Sequence, residues 1–269
     1  MATDSGTIAA ARTRGRDRWT EHWNDFAGSA ARNPAQAYRR KLVFGLLDLT
    51  GAPPPVRLLD LGSGTGDLAL QVSRTRPDAE ILGLDLSASG VAMASRKVPR
   101  GRFIQQDFTR PLEGAAAAPC AAHRGWATHA VCSEVLEHVD DPIEVLRNAS
   151  YLMAPGCRLA VTVPGGPMSA FDRHIGHRAH FGTARFEAVL RSAGYEVEDL
   201  RSAGFPFFNL YRLAVIARGE KLVDDAAGQG RGLPLAARAT MRAFSWLFRF
   251  NASKTGPGWQ LAARARFRG

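Results

Sequence analysis

The run Leu58-Leu59-Asp60-Leu61-Gly62-Ser63-Gly64-Thr65-Gly66-Asp67 sets a short apolar strand, an acid and three glycines at alternate positions ahead of a helix. Such a bend brings bare backbone close to a nucleotide-like ligand, because glycine has no side chain and accepts left-handed backbone. A dinucleotide turn has the pattern Gly-x-Gly-x-x-Gly, its third glycine packing helix on strand while the helix N-terminus faces the pyrophosphate. Here the third glycine comes one residue early and Asp67 fills the vacated slot. An acid at that point repels a phosphate and tolerates a cationic group.

Working outward, Ala79 to Leu86 (AEILGLDL) is a second apolar strand, and its acid, Asp85, lies at the distance from the turn at which a ribose-binding carboxylate sits in such units. Phe103 to Phe108 (FIQQDF) is a third, ending in an acid beside an aromatic ring, which suits an adenine amino group and ring face. His129 to Ser133 is a fourth, and Arg158 to Val163, after the turn Ala154-Pro155-Gly156-Cys157, is a fifth. Strands alternating with helical segments predict a doubly wound α/β sheet. A helix over 183–193 and a strand from Tyr195 to Leu200 continue it. Residues 206–251 then have helical spacing, and Trp259 to Phe267 alternates as a last antiparallel strand. The expectation is a seven-stranded sheet with a helical cap inserted between strands six and seven.

Ahead of the turn, Asn33-Pro34-Ala35-Gln36 has the form of an N-cap, a first-turn proline and a capping glutamine. It opens a helix that places Leu42, Val43, Leu46 and Leu47 inward and ends at Gly51. Residues 1–17 are polar and arginine-bearing and are expected to form a flexible arm, with residues 18–269 forming a single domain.

With these pieces in place, the chain resembles the class I S-adenosylmethionine-dependent methyltransferases across roughly residues 35 to 205. The resemblance rests on LLDLGSGTGDLAL, ILGLDLS, FIQQDF, SEVLEHVDDPIEVL and the Pro-Gly turn before strand five. It implies S-adenosylmethionine as cofactor. Asp60, Gly62, Gly64 and Gly66 would line the methionine end, Asp85 the ribose hydroxyls, and Asp107 with Phe108 the adenine. Ser63, Leu86, Gln106 and Ser133 complete the implied cofactor positions. One departure is Cys157, where relatives usually carry a second glycine.

The composition agrees with one large α/β core: 269 residues, 45% hydrophobic. No apolar run approaches 18 residues and no apolar leader precedes the basic N-terminus, so neither a membrane span nor secretion is expected. Cys120, Cys132 and Cys157 are odd in number and lack metal spacing, which fits a reducing, cytoplasmic setting. The net charge of +10 is carried by arginine far more than lysine. Residues 231–269 hold Arg231, Arg238, Arg242, Arg249, Lys254, Arg264, Arg266 and Arg268 and no acid, which marks a candidate contact surface for an acidic ligand or a membrane. Within it, arginines fall on one helical stripe and Met241, Phe244, Leu247 and Phe248 on another. That pattern fits an ordinary cap packing on its own domain, the favoured reading, or a membrane-surface helix.

Methyl transfer from a sulfonium needs aligned reactants and an acceptor freed of its proton, so the acceptor side should carry a base. The candidates are His138, and His174 and His177 in the cluster that also holds His180. Glu134-x-x-Glu137-His138 is also similar to the metal-binding motif of ubiquinone-pathway and plant small-RNA methyltransferases. That resemblance would make Glu134, Glu137 and His138 ligands of a divalent ion, with a downstream histidine as the fourth. Many small-molecule methyltransferases without metal carry a similar stretch, and the ion is not the favoured reading. Three functions remain: methylation of a small or medium-sized metabolite on oxygen or nitrogen, including those of specialised metabolism; methylation of RNA or a peptide; and cofactor binding without catalysis. The first is preferred. Scarce lysine and the lack of an appended binding module argue against nucleic acid.

Overall fold

The computed structural model describes residues 33–219, 235–252 and 256–269. The arm expected at 1–17, together with Arg231 and Lys254, lies outside the described residues. Seven strands form one sheet: β1 Arg57–Leu61, β2 Glu80–Asp85, β3 Arg102–Gln105, β4 Ala127–Ser133, β5 Met153–Pro164, β6 Tyr195–Ala203 and β7 Gln260–Phe267. Their order is β3-β2-β1-β4-β5-β7-β6, and β7 alone runs against its neighbours. The order reverses between β1 and β4, so the C-terminal ends of these two strands flank a crevice, where ligands of open α/β sheets bind.

The helices are α1 Pro34–Leu47, α2 Asp67–Thr75, α3 Ala88–Lys97, α4 Gly114–Ala117, α5 Pro142–Ser150, α6 Ala170–His174, α7 Thr183–Ser192, α8 Phe207–Arg218 and α9 Leu235–Leu247. Local chemistry sets their ends. Asn33 accepts a hydrogen bond from the Ala35 N–H at 2.9 Å, and Pro34 occupies the first turn of α1, where its missing N–H is not needed. The helix stops earlier than Gly51: Asp48 takes the left-handed conformation at φ 52 and donates its N–H to the Phe44 carbonyl. Asp141 caps α5 by accepting from the amides of Ile143 and Glu144.

Alternation along the strands divides the core between the two faces of the sheet. Leu59 and Leu61 pack on one side with Val145, Leu146 and Ala149 of α5 and Phe186 and Leu190 of α7. Leu58 packs on the other with Leu42, Val43, Leu46 and Leu47 of α1. Each such fully buried leucine contributes on the order of 1.5–3 kcal/mol by leaving water.

Two strand expectations shift. The third strand ends at Gln105, because Asp107 closes a local turn by accepting from the amide and hydroxyl of Thr109 at 2.8 and 2.6 Å. The fifth begins at Met153: Ala127 pairs with Met153 and His129 with Arg158, so Ala154–Cys157 of β5 stands against Thr128 alone.

Ala203, the last residue of β6, pairs with Gln260, and Gln260 pairs with Pro164 at the end of β5. The inserted helices therefore leave the sheet at its C-terminal edge. They settle on α1, where the Tyr38 ring lies 5.5 Å from both Phe208 and Phe248, and Tyr211 meets Phe244 edge-on at 5.3 Å. The apolar stripe of α9 is thus used within the domain. The basic C-terminal segment is corrected in part: Arg264 and Arg266 pair with Glu198, and Arg268 with Glu196, across β6 and β7. Of its described arginines, only those of α9 and the turn after it remain as contact candidates.

Candidate active site

The glycine bend follows β1. Gly62, Gly64 and Gly66 all have positive φ, at 69, 50 and 76°. At the first and third, space is as decisive as conformation. A Cβ on Gly62 would lie 2.4 Å from Val135, and one on Gly66 would lie 2.9 Å from Ala94 of α3. The early third glycine therefore still packs helix against helix.

Asp85 ends β2 and binds the bend directly. One carboxylate oxygen accepts the Gly64 N–H at 2.7 Å and the other accepts the Ser87 N–H at 2.8 Å. Burial raises its pKa, and these two amides oppose that rise. Asp60 is buried at the other side of the bend. Burial, and then the charge of Asp85, push its carboxyl up to about 7. Its Oδ2 and the Ser63 Oγ are buried with no hydrogen-bond partner among the described residues. A buried acceptor and a buried hydroxyl left unsatisfied at a glycine bend fit the ammonium and carboxylate of an amino-acid ligand. Asp67 is different: it forms an ion pair with Lys97 at 2.7 Å. Its charge is answered within the protein, which weakens its repulsion of a phosphate.

Beyond β2, Leu86 is 39% exposed, an apolar side chain at the lip of the crevice. Gln106 donates its amide N–H to the Asp85 carbonyl, and its side-chain oxygen faces the Cys120 thiol. Phe108 lies in the hydrophobic core, and Asp107 is engaged by Thr109. Ser133 shares a 2.7 Å hydrogen bond with Thr162.

The segment after β4 is not the helix that the spacing of Glu134 and His138 suggests. Glu134 has φ 58, a left-handed conformation that is strained for a side chain of its length, and Leu136–His138 is a single 3-10 turn. The two residues therefore part. Glu134 turns into the sheet, where Arg39 of α1 pairs with it at 2.8 Å and Thr162 and Gln260 donate to it at 3.1 and 2.9 Å. Arg39 also donates to Gln260. Neither residue was singled out from the sequence, since both lie far along the chain from Glu134. The one signal was a glutamine opening a strand whose next three residues, Leu261 to Ala263, are apolar.

Glu137 and His138 point elsewhere. Glu137, His138 and His177 bring one ligand atom each within 4.8 Å of one another, as do Asp172, His177 and His180. The His138 and His177 rings meet edge to face at 4.6 Å. His174 stays outside both sets, exposed in the last turn of α6. Burial, and then the charge of Glu134, raise the Glu137 carboxyl well above the usual range, and neither of its oxygens has a hydrogen-bond partner among the described residues. Burial lowers His177 and His180, keeping both rings neutral at neutral pH.

The neutral rings fix one another's tautomers. His180 Nδ1 must donate to the Gly166 carbonyl at 3.0 Å, which leaves His180 Nε2 to accept from His177 Nδ1 at 3.1 Å. The lone pair of His177 is then on Nε2. Asp172 is committed otherwise. Burial would raise its pKa, but a two-pronged bond to Arg212 of α8, at 3.0 and 2.6 Å, and bonds from Ser169 hold it well below the usual range. A cation added beside Arg212 would be repelled, so the donor set that fits a divalent ion is Glu137, His138 and His177. The trio suggested by the sequence loses Glu134, which Arg39 already neutralises.

A doubly wound sheet with this bend and an orphaned acid at its switch point defines a Rossmann-like methyltransferase fold. A family model described as a methyltransferase domain matches residues 35–200. The demethylmenaquinone methyltransferase of Thermus thermophilus is 34% identical over 150 residues, 54% of this chain and 61% of that one, so this chain spans about six-tenths of that relative's length. The ubiquinone biosynthesis O-methyltransferase of Xanthomonas euvesicatoria is 30% identical over 193 residues, 65% and 76% of the two chains. Among solved structures, the [4+2]-cyclase SpnF is similar at a TM-score of 0.55 and 22% identity, over 87% of this chain and 81% of that one, a likeness of fold alone. The chain belongs to the methyltransferase-domain family, as a class I S-adenosylmethionine-dependent methyltransferase of the ubiquinone-pathway-like branch.

Proposed function

We propose that the methyl acceptor is a hydroxyl or amine of a small or medium-sized metabolite, held between the glycine bend and the cluster of Glu137, His138 and His177. The observation that carries this reading is the juxtaposition itself: Val135 packs on Gly62, so the turn bearing Glu137 and His138 abuts the cofactor bend. The names of the relatives, which point to quinone precursors, support an acceptor of this size.

S-adenosylmethionine brings a methyl group on a positively charged sulfur, a good leaving group, so no covalent bond to the protein is needed. The residues act by position and charge. Asp60 and Ser63 supply an acceptor and a hydroxyl for the amino-acid end, and Asp85 holds Gly64 in place. On the acceptor side, His177 Nε2 presents a lone pair within a buried cluster, kept in that tautomer by His180 and Gly166. That atom receives the acceptor proton when the cluster works by itself.

A second reading has its own support. A buried acid with no hydrogen-bond partner among the described residues, next to two imidazoles, is a donor set suited to a divalent ion, which would hold the acid ionised, polarise a hydroxyl and lower its pKa. Burial keeps the His177 ring neutral, the form that ligates a metal. Activity after chelation, with and without added magnesium, separates the two: full activity in chelator supports the base, and loss restored by magnesium supports the ion.

The test of acceptor class is transfer of labelled methyl into fractionated extract. Label in the low-mass, organic-extractable fraction, insensitive to nuclease and protease, is the expected result. Label in RNA or protein, with activity falling steeply as salt rises, would replace the small-molecule reading.

A further inference from the structure

We propose that the outer face of the inserted helix pair docks on an anionic lipid surface. The inference concerns the insertion alone and does not depend on which acceptor is methylated. The argument starts from the two faces of α8. Phe208, Tyr211 and Arg212 point inward, to α1, α9 and Asp172. Leu210, Leu213, Ala214 and Ala217 recur at helical spacing on the opposite side, and all four are exposed. An apolar stripe turned to water is not what a cap packing only on its own domain requires.

The stripe continues onto the neighbouring element. The amide of Ala252 donates to the Phe205 carbonyl at 2.7 Å, which places the start of α8 beside the turn Phe248–Phe250. There Trp246 and Phe250 stack edge-on at 4.9 Å while 56% and 59% exposed, and Phe205 is itself exposed. The inward rings of α9, Phe244 and Phe248, are different residues and are already used against Tyr211 and Tyr38.

Charge identifies the partner. Arg238 and Arg242 of α9, and Arg249 of the turn after it, are exposed at helical spacing from Trp246. Neither α8 nor α9 contains an acid, and residues 231–269 contain none at all. Two described helices that carry arginines and no acid, with aromatic rings beside those arginines and an apolar stripe, match the headgroup boundary of an anionic bilayer. Rings and leucines enter the acyl boundary there while guanidinium groups stay with phosphate. Docking would set the inner side of α8, where Arg212 reaches the histidine cluster, directly behind the membrane-facing side.

The test is flotation of the full chain with vesicles of phosphatidylcholine alone and of phosphatidylcholine with about one-third phosphatidylglycerol, since charge attraction requires the anionic lipid. The protein should float with the second and not the first. Replacing Arg238, Arg242 and Arg249 together by glutamine should lower the partition by roughly fivefold per arginine. The pair Trp246→Ser and Phe250→Ser should abolish flotation at moderate salt. Cofactor binding by calorimetry should be unchanged in both variants, which shows that they remain folded and keeps this test separate from the acceptor reading. Absence of flotation with anionic vesicles, or flotation that ignores these substitutions, overturns the proposal. So does a dimer in sedimentation that Trp246→Ser and Phe250→Ser dissolves, because the occupant would then be a second copy of the chain.

Discussion

Asp60 is a buried carboxyl whose Oδ2 has no hydrogen-bond partner among the described residues. Its carboxyl titrates at about 7 in the fold against an ordinary 3.8, so between those pH values the native state holds the extra proton and stability falls as pH rises, levelling off above 7. The penalty at pH 8 is roughly 4 kcal/mol. Asp60→Asn should therefore raise the Tm of the ligand-free protein at pH 8, leave it nearly unchanged at pH 4, and weaken cofactor binding at both. A variant that binds the cofactor normally would remove Asp60 from the site. Asp85→Ala should abolish binding for a second reason, since the Gly64 amide loses its buried acceptor. Across the site, His177→Ala and Glu137→Gln should each lower kcat at least tenfold, within the range expected for an acid–base group, and leave the cofactor Kd within a factor of two. His174→Ala should change neither, because His174 lies outside the cluster; calorimetry with single-turnover kinetics decides. Which acids line the bend was legible in the sequence, because the strand, the glycines and Asp85 are local. The fate of Asp67 was not, because Lys97 lies thirty residues away along the chain and meets it only when α2 and α3 pack.

Among the elements, the caps and strand alternations carried their own signals, and β1, β2, β4 and α1 fall within a few residues of expectation. The turn after β4 did not. A spacing of four puts two residues on one face only if the chain is an α-helix, and the left-handed Glu134 followed by a 3-10 turn separates them. Nothing local in Ser133-Glu134-Val135-Leu136 announces this; Arg39, Thr162 and Gln260 impose it from α1, β5 and β7. The link between α8 and α6 is equally nonlocal. Arg212→Ala would leave Asp172 charged and buried without its partner, a loss of about 3–5 kcal/mol in unfolding free energy, whereas Arg212→Lys should recover part of it. Denaturant melts at constant m-value would show this, and a loss below about 1 kcal/mol would mean that the pair is not buried in solution.

For the whole molecule, a ligand that binds only the native state must stabilise it. S-adenosylmethionine at a hundred times its Kd should add about 2.7 kcal/mol and raise Tm by roughly 5–10 °C, a shift that scanning calorimetry at constant pH resolves. No helix among the described residues is long and apolar enough to cross a membrane, so any lipid contact is made by a surface. From sequence alone came the doubly wound sheet, the cofactor bend and the inserted helices, because each is written in short-range periodicity, in glycine and proline placement, and in acids at strand ends. Only the tertiary structure decided which histidines meet, that Glu134 is spent on Arg39 while the oxygens of buried Glu137 are left without a hydrogen-bond partner among the described residues, and that Arg264, Arg266 and Arg268 of the basic C-terminal segment pair with acids across two strands. Those outcomes depend on groups brought together from distant parts of the chain, and whether a charge is free or answered is a property of the packed neighbourhood.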